Sequence, residues 1–249
     1  RRYRDDPEVD IYFISRGQAL ENIRSRGLIV ESQQGNFTAR PKAATDSAAE
    51  IGEMDYILLC TKAYDIEGAV GQIRPAIGPR TVILPFLNGV DSAEKIKRML
   101  PGHAVWDGCV YVVAFIVEPG RIAEHTNGYR YLFGSAQGPD ERLEELERIF
   151  TGAEVRARLV PDITRRVWDK FAFISTVATA TSYTDEPYGG VLGNPDYRAQ
   201  FSALLDEFQA VAKAKGIVLS DGIAAQVVDQ MERIPTDTTT SMQRDFRAH

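Results

Sequence analysis

Three apolar runs of strand length lie in the first part of the chain, and each stops at a polar cluster. The runs are DIYFISRG (10–17), MDYILLCTKAYD (54–65) and RTVILPFLNGV (80–90). Continuous apolar runs of this kind are typical of strands buried on both faces of a parallel sheet covered by helices. Ligands bind at the carboxyl ends of such strands, so polar side chains there predict a nucleotide-binding crevice. The clusters that follow the apolar runs are Ser15-Arg16, Thr61-Lys62 and Asn88-Gly89.

The segments around these runs alternate between helical and extended patterns. Residues 17–27 predict a helix, and residues 28–32 and 36–40 predict a small hairpin. Further helices are predicted over 65–74 and 91–99. This alternation predicts an α/β fold with a doubly wound, Rossmann-type sheet.

A change of character follows in residues 103–135, which are rich in β-branched and aromatic side chains. They predict antiparallel strands that close one edge of the sheet. The turn signals within this segment are Pro119-Gly120 and Asn127-Gly128. An amphipathic helix over 139–153 and a last strand over 154–160 complete the α/β part.

From Pro161 onwards the extended patterns give way to helical ones. We therefore predict an α/β domain over residues 1–160 and an all-helical domain over 161–249. Besides the helix that begins after Pro161, helical stretches cover 195–215, 221–233 and 238–248. The sequence has no G-x-G-x-x-G turn for a pyrophosphate. We expect that the protein has further residues at both ends, including this turn.

Composition narrows the classes of function. Lys and Arg total 29 against 35 for Asp and Glu, a formal net charge of -6, which disfavours nucleic acid and anionic membranes as partners. Two cysteines without CxxC spacing favour a reducing compartment. No apolar stretch approaches the roughly 20 residues of a membrane span, and the histidines form no metal-binding pattern. We expect a cytoplasmic protein that binds a small molecule, with a helical domain on which a homodimer could form.

Arg16 follows the strand whose tip faces the adenosine ribose in a dinucleotide fold. An acidic residue there would accept from the 2′-hydroxyl of NAD, whereas a guanidinium suits the 2′-phosphate of NADP. Arg16 with Ser15 beside it therefore favours NADP. The alternative is an arginine that is merely solvated.

Lys62 and Asn88 stand at the ends of the next two predicted strands. A lysine there can bind ribose hydroxyls or an anionic substrate, and an asparagine can both donate and accept. Gly89 permits close approach of the backbone to a ligand. Each residue type is common in loops, so their recurrence at equivalent strand ends carries the prediction.

Lys170 stands at the beginning of FAFISTVATATSY (171–183), a run without any charged residue. Such a run predicts a central helix that is buried on all sides. A lysine on its apolar stripe either extends its amine to water or serves a functional site as a proton donor.

Several motifs, in this order, resemble the ketopantoate reductase (2-dehydropantoate 2-reductase) family. They are ISRG (14–17), TKAYD (61–65), LNGV (87–90), WDK (168–170) and TSMQRD (240–245). PYGGVL (187–192) and AKAKGIVL (212–219) add to the set, so the resemblance covers almost the whole chain.

The resemblance implies an NADPH-dependent reductase of 2-dehydropantoate with a 6-phosphogluconate-dehydrogenase-like architecture and a substrate held between its domains. By this resemblance Arg16 would contact the 2′-phosphate, and Lys62 and Asn88 would line the nicotinamide end. Lys170 would be the catalytic lysine that also contacts the substrate, and Ser241 would hold the substrate.

One departure from the family pattern concerns the substrate. The family commonly carries asparagines one and two turns after the lysine, where this chain has Ile174 and Ala178. The neighbouring hydroxyls of Ser175 and Thr179 are candidates to replace them. This departure motivates one alternative, a reductase of the same fold that acts on another small keto acid or imine. An alternative of another class is an NADP(H)-binding sensor or scaffold without turnover.

Overall fold

Two compact units make up the chain, Arg1–Ile163 and Thr164–His249. The computed structural model describes residues 8–125 and 130–248. All strands of this described part lie in the first unit, and the second unit is helical. The predicted fold class, a Rossmann-type α/β domain followed by a helical domain, is confirmed. The division lies three residues beyond the predicted position.

Short strands and amphipathic helices alternate through the first unit. Its described strands are β1 (Tyr12–Ile14), β2 (Leu28–Ser32), β3 (Phe37–Ala39), β4 (Ala43–Thr45), β5 (Met54–Leu59), β6 (Ile77–Pro85), β7 (Ala104–Val105), β8 (Asp107–Tyr111), β9 (Ala114–Glu118), β10 (Arg121–Glu124), β11 (Arg130–Gly134) and β12 (Ala157–Leu159). Its helices are α1 (Gly17–Arg26), α2 (Ile66–Ile73), α3 (Ser92–Met99) and α4 (Glu141–Gly152).

Strands β5, β6 and β7 form a parallel sheet around which the first unit builds its core. Val82 and Leu84 of β6 pack into one buried cluster with Trp106, while Ile83 between them packs into another with Val70 of α2. Successive side chains of a strand point to opposite faces, so β6 is covered on both sides. This is the burial that its continuous apolar run predicts.

Strand β1 pairs in parallel with β4 and belongs to a separate two-stranded sheet. Among the described residues, β1 is therefore not hydrogen-bonded to the sheet that contains the other two polar strand ends. An apolar run predicts that a strand is buried, but it does not specify which edge the strand pairs with.

The segment 103–135 also differs from the prediction. Its strands do form antiparallel pairs, β9 with β10 and β8 with β11, but β10 pairs in parallel with β2. The β9–β10 pair thereby extends the β2–β3 hairpin into a four-stranded sheet instead of closing an edge. An ion pair between Arg121 and Glu31 joins the two halves of this sheet across a long sequence separation. The turn predicted at Asn127-Gly128 lies outside the described residues.

The second unit consists of helices that pack around a shared apolar core. They are α5 (Ile163–Thr184), α6 (Tyr188–Gly193), α7 (Pro195–Ala214), α8 (Ile223–Glu232) and α9 (Ser241–Ala248). The short α6 was not predicted, because its glycines have low helix propensity. Tertiary bonds hold it: the N–H groups of Tyr188 and Gly189 donate to the carbonyls of Thr238 and Thr236.

Helix α5 is buried on one side only, which corrects the prediction of a helix buried all round. Ala172 and Thr181 are 0% exposed, whereas Tyr183 is 81% exposed and Thr179 also faces solvent. Two buried hydroxyls of this uncharged run are satisfied within the helix, since Thr176 and Thr181 donate to the carbonyls four residues earlier. The buried hydroxyl of Ser182 has no partner among the described residues. The absence of charge thus reflects internal hydrogen bonding as well as burial.

Candidate functional site

Lys62 and Asn88 leave the β5–β6 sheet at the same edge. Leu59 and Pro85 pair at the carboxyl ends of these parallel strands, and Lys62 and Asn88 each follow three residues later. The N–H of Phe86 donates to the carbonyl of Leu59 at 2.9 Å, which continues the pairing beyond the strands. Both Lys62 and Asn88 are exposed. The structure therefore brings this predicted pair together.

Gly89 supplies a backbone conformation that other residues rarely adopt. Its φ is +113°, and a Cβ built on it would meet nothing nearer than a carboxylate oxygen of Asp91 at 3.7 Å. The glycine is required here by conformation and not by crowding. It leaves the backbone beside Asn88 without a side chain.

Ser15 and Arg16 connect β1 to α1. The N–H of Ser15 donates to the carbonyl of Thr45 at 2.9 Å, which extends the β1–β4 pairing by one residue. Arg16 is exposed with an extended backbone directly before the helix. These two residues stand at the end of a different sheet from Lys62 and Asn88.

Lys170 lies on a turn of α5 that its neighbour anchors. Asp169 accepts two hydrogen bonds from Ser220, one from its N–H at 3.0 Å and one from its hydroxyl at 2.6 Å. Trp168 packs against Phe208 of α7, with 5.9 Å between ring centroids. Lys170 itself is half-buried. Because Asp169 and Trp168 both contact residues outside α5, the backbone position of Lys170 next to them is fixed.

We expect Asp169→Ala to lower the free energy of unfolding by about 1–3 kcal/mol, because Ser220 loses both acceptors. Urea unfolding followed by circular dichroism measures this change. Asp206→Ala, at an exposed position of α7, is the matched control and should cost far less. Equal losses in the two variants would show that the Asp169–Ser220 contact does not anchor α5.

Ser241 is the first residue of α9, and this helix is attached to the far end of α5. The hydroxyls of Thr240 and Thr181 lie 2.9 Å apart. Arg247 binds Asp185 at 2.6 Å and thereby holds the pKa of that carboxyl below its ordinary value. Thr181 is eleven residues after Lys170, or about 16 Å along a helix that rises 1.5 Å per residue. Lys170 therefore lies at one end of this stretch of α5, and α9, which begins at Ser241, is attached at the other end.

The hydroxyls next to Ile174 and Ala178 do not stand beside Lys170. Ser175 donates to the carbonyl of Phe171 at 2.6 Å, so its hydroxyl is used within the helix. Thr179 is nine residues after Lys170, which places it about half a turn round the helix from the lysine. The side of α5 that bears Lys170 continues with Ile174 and Ala178, and Ser182 follows at the next step of four residues.

Among the described residues, no group of three or more His, Cys, Asp or Glu side chains is placed to bind a metal ion. His125 packs edge-on against Phe115, with 5.8 Å between ring centroids. None of the helices in the described part of the chain is both long and apolar enough to cross a membrane.

Sequence reasoning missed the contacts that position the site. Asp169 and Ser220 are 51 residues apart, and Thr181 and Thr240 are 59 apart. In the sequence, Asp169 stands out only as part of the WDK motif. No local pattern predicts which of several serines or threonines a helix residue will meet.

Comparison with known proteins assigns the family. The model of the family described as ketopantoate reductase PanE/ApbA matches residues 5–138, and the model of its C-terminal domain matches residues 162–249. The chain belongs to the ketopantoate reductase family. The resemblance carried by the short motifs is thereby confirmed.

Individual members of the ketopantoate reductase family align over most of this chain. An uncharacterized oxidoreductase of Bacillus subtilis is 26% identical over 95% of this chain and 78% of its own length. A 2-dehydropantoate 2-reductase of Mesorhizobium japonicum is 24% identical over 88% of this chain and 73% of its own. The crystal structure of 2-dehydropantoate 2-reductase from Porphyromonas gingivalis superposes with a TM-score of 0.88 at 38% identity, covering 99% of this chain and 86% of that one. The protein is accordingly an oxidoreductase.

The same fold occurs outside 2-dehydropantoate reductases. A structure of D-mandelate dehydrogenase with NADH and anilino(oxo)acetate superposes with a TM-score of 0.80 at 18% identity, covering 96% of this chain and 78% of that one. At this identity the likeness concerns the fold alone.

Proposed function

We propose that this protein reduces a small 2-keto acid of the 2-dehydropantoate type to the 2-hydroxy acid, with NADPH as hydride source and Lys170 as proton donor. The observation that carries the proposal is the half-buried Lys170 on the anchored turn of α5, in a member of the ketopantoate reductase family. Relatives named 2-dehydropantoate 2-reductase support the conversion of 2-dehydropantoate to pantoate.

The strand ends of the first unit fit a dinucleotide with a phosphorylated ribose. The exposed Arg16 and the hydroxyl of Ser15 fit the 2′-phosphate. Lys62 and Asn88 fit the ribose and amide groups at the nicotinamide end, where Gly89 lets the backbone approach. NADPH, when bound, supplies the hydride for the keto carbon.

Lys170 acts on the oxygen of the substrate. The keto carbon accepts the hydride, and the electron pair of the C=O double bond moves onto oxygen. The ammonium of Lys170 stabilises this charge, transfers its proton to the oxygen and regains a proton from water. The net change consumes the keto acid, NADPH and a proton, and yields the hydroxy acid and NADP⁺. The substrate contact of Ser241 stays a prediction, because about 16 Å of α5 separates the attachment point of α9 from Lys170 and a small keto acid is shorter than that.

A second candidate is a reductase of another small keto acid or imine. The observation that favours it is the apolar pair Ile174 and Ala178, which cannot offer a hydrogen bond from their side chains. The hydride and proton chemistry would be unchanged.

An assay of NADPH oxidation with 2-dehydropantoate and a panel of other 2-keto acids tests the proposal. We expect NADPH absorbance to fall and the corresponding hydroxy acid to accumulate. If NADPH binds, as followed by its fluorescence, but is not oxidised with any acid, the protein is a sensor or scaffold and the proposal is wrong.

The cytoplasmic location and the homodimer stay predictions. Light scattering of the purified protein tests the second of these.

A further inference from the structure

Strand β9 is an edge strand in which every residue is exposed. It is the last strand in the order β3-β2-β10-β9, and among the described residues no strand pairs with its other side. Phe115 is 48% exposed, Ile116 80% and Val117 54%. An open edge presents unpaired N–H and C=O groups, which proteins usually protect with charged side chains, proline or short length. In β9 these backbone groups are instead flanked by exposed apolar side chains, so the edge is suited to accept another strand.

The opposite edge of the same sheet shows the usual protection. Strand β3 has only three residues, its central Thr38 is the exposed one, and Arg40 follows it directly. Strand β9 has five residues, and its one charged side chain, Glu118 at the end, lies 3.1 Å from Arg26 of α1. Residues 114–117 carry no charge. The charge that would keep a second strand away from β9 is therefore absent or already paired.

The direction of the backbone groups determines which residues of β9 can pair on the open side. The N–H of His125 donates to the carbonyl of Val113 at 2.9 Å, so Val113 faces β10. Residues that bond to one neighbour alternate along an antiparallel strand with residues that bond to the other. The backbone groups of Ala114 and Ile116 therefore point to the open side.

We propose that two copies of the protein associate through β9, with the strands antiparallel about a two-fold axis at Phe115. Ala114 of each copy then pairs with Ile116 of the other, which places a small side chain beside a large one. The two Phe115 rings meet at the axis, in the type of pair whose side chains lie closest. A second copy fits this strand because an uncharged strand that pairs with itself has its complement in its own sequence.

The apolar area of β9 fits a weak dimer. The exposed side chains contribute on the order of 400 Å² per copy, which is the size of the largest apolar patch on many monomers. With the backbone included, two copies would bury on the order of 1,000 Å², near the lower limit for a specific interface. We therefore expect a dissociation constant on the order of 10 μM. The side chains in question are Val113, Phe115, Ile116 and Val117.

Light scattering of the full chain between about 1 and 200 μM tests the association. We expect the molar mass to rise with concentration from that of one chain toward that of two. Ile116→Lys places a charge on the open edge of both copies and should raise the dissociation constant at least about tenfold. Val218→Lys is the matched control, because Val218 is an apolar residue of the second unit that is 75% exposed. It should leave the dissociation constant unchanged.

The register has a test of its own in a Cys60→Ser background, which removes the exposed cysteine. Phe115→Cys should form a disulfide between two copies on mild oxidation, because directly opposed residues lie about 5 Å apart at Cα. Val117→Cys is the control, since its two copies would be four residues apart along the strands, or about 13 Å. Electrophoresis without reductant separates the linked from the unlinked chains.

Each outcome decides for or against the β9 interface without reference to turnover. A chain that stays monomeric up to the highest concentration would overturn the proposal, since β9 would then serve another partner. A dimer that Ile116→Lys leaves unchanged would also overturn it, because the interface would lie elsewhere. If Ile116→Lys does not fold, the disulfides decide: linkage of Phe115→Cys but not of Val117→Cys supports the proposal, and equal or absent linkage contradicts it.

Discussion

Replacing Lys170 by alanine should lower kcat by about two to four orders of magnitude, the largest effect that we expect from a single substitution. The amine supplies both charge stabilisation and the proton at the substrate oxygen, so its removal acts mainly on the transition state. KM should change much less than kcat, because the reacting oxygen carries little charge in the ground state. Steady-state kinetics with NADPH in excess measure both constants.

Lys213→Ala is the control for this experiment. Lys213 is an exposed lysine of α7 in the same unit, and its loss removes the same charge from the protein. We expect its kcat to match that of the unaltered chain. A Lys170→Ala protein with normal circular dichroism and undiminished kcat would remove Lys170 from the mechanism.

Replacing Arg16 by aspartate should weaken NADPH binding by roughly 100-fold or more while leaving NADH binding similar or better. The guanidinium is proposed to bind the 2′-phosphate, which NADH lacks, and a carboxylate there repels the phosphate but accepts from a 2′-hydroxyl. Fluorescence titration with each nucleotide gives the two dissociation constants.

Arg40→Asp serves as the matched charge reversal. Arg40 is exposed and precedes β4, whereas Ser15 and Arg16 lie near Thr45 at the carboxyl end of that strand. Five residues of extended chain separate Arg40 from Thr45 by about 16 Å, so Arg40 should not touch a ligand bound at Arg16. Equal weakening of NADPH and NADH by Arg16→Asp would mean that this arginine does not read the phosphate.

Local patterns were sufficient for most of the elements that present the candidate residues. The predicted helix over 17–27 corresponds to α1, and the hairpin of 28–32 and 36–40 corresponds to β2 and β3. Periodicity and glycine stops act within a few residues, so they are readable from the chain itself. The pairing of β10 with β2 and the short α6 were not readable, because distant hydrogen bonds hold both of them.

The candidate site divides in the same way. Side-chain chemistry at the strand ends singled out Lys62 and Asn88, and the register of β5 and β6 then brought them to one edge. Cys60 directly follows β5 and is exposed. The same edge that exposes the polar clusters exposes this cysteine.

The amino-acid sequence alone determined the class of fold, the family and the identity of the residues with suitable chemistry, since all three depend on short-range patterns and ordered motifs. Tertiary structure decided that the register of β5 and β6 brings Lys62 and Asn88 to one edge of the sheet. It also decided that Ser220 donates to Asp169 beside Lys170 and that Thr181 contacts Thr240, just before α9. These outcomes depend on which strand edges and hydroxyls meet across tens of residues, and packing of the whole unit selects among many partners that are locally equivalent.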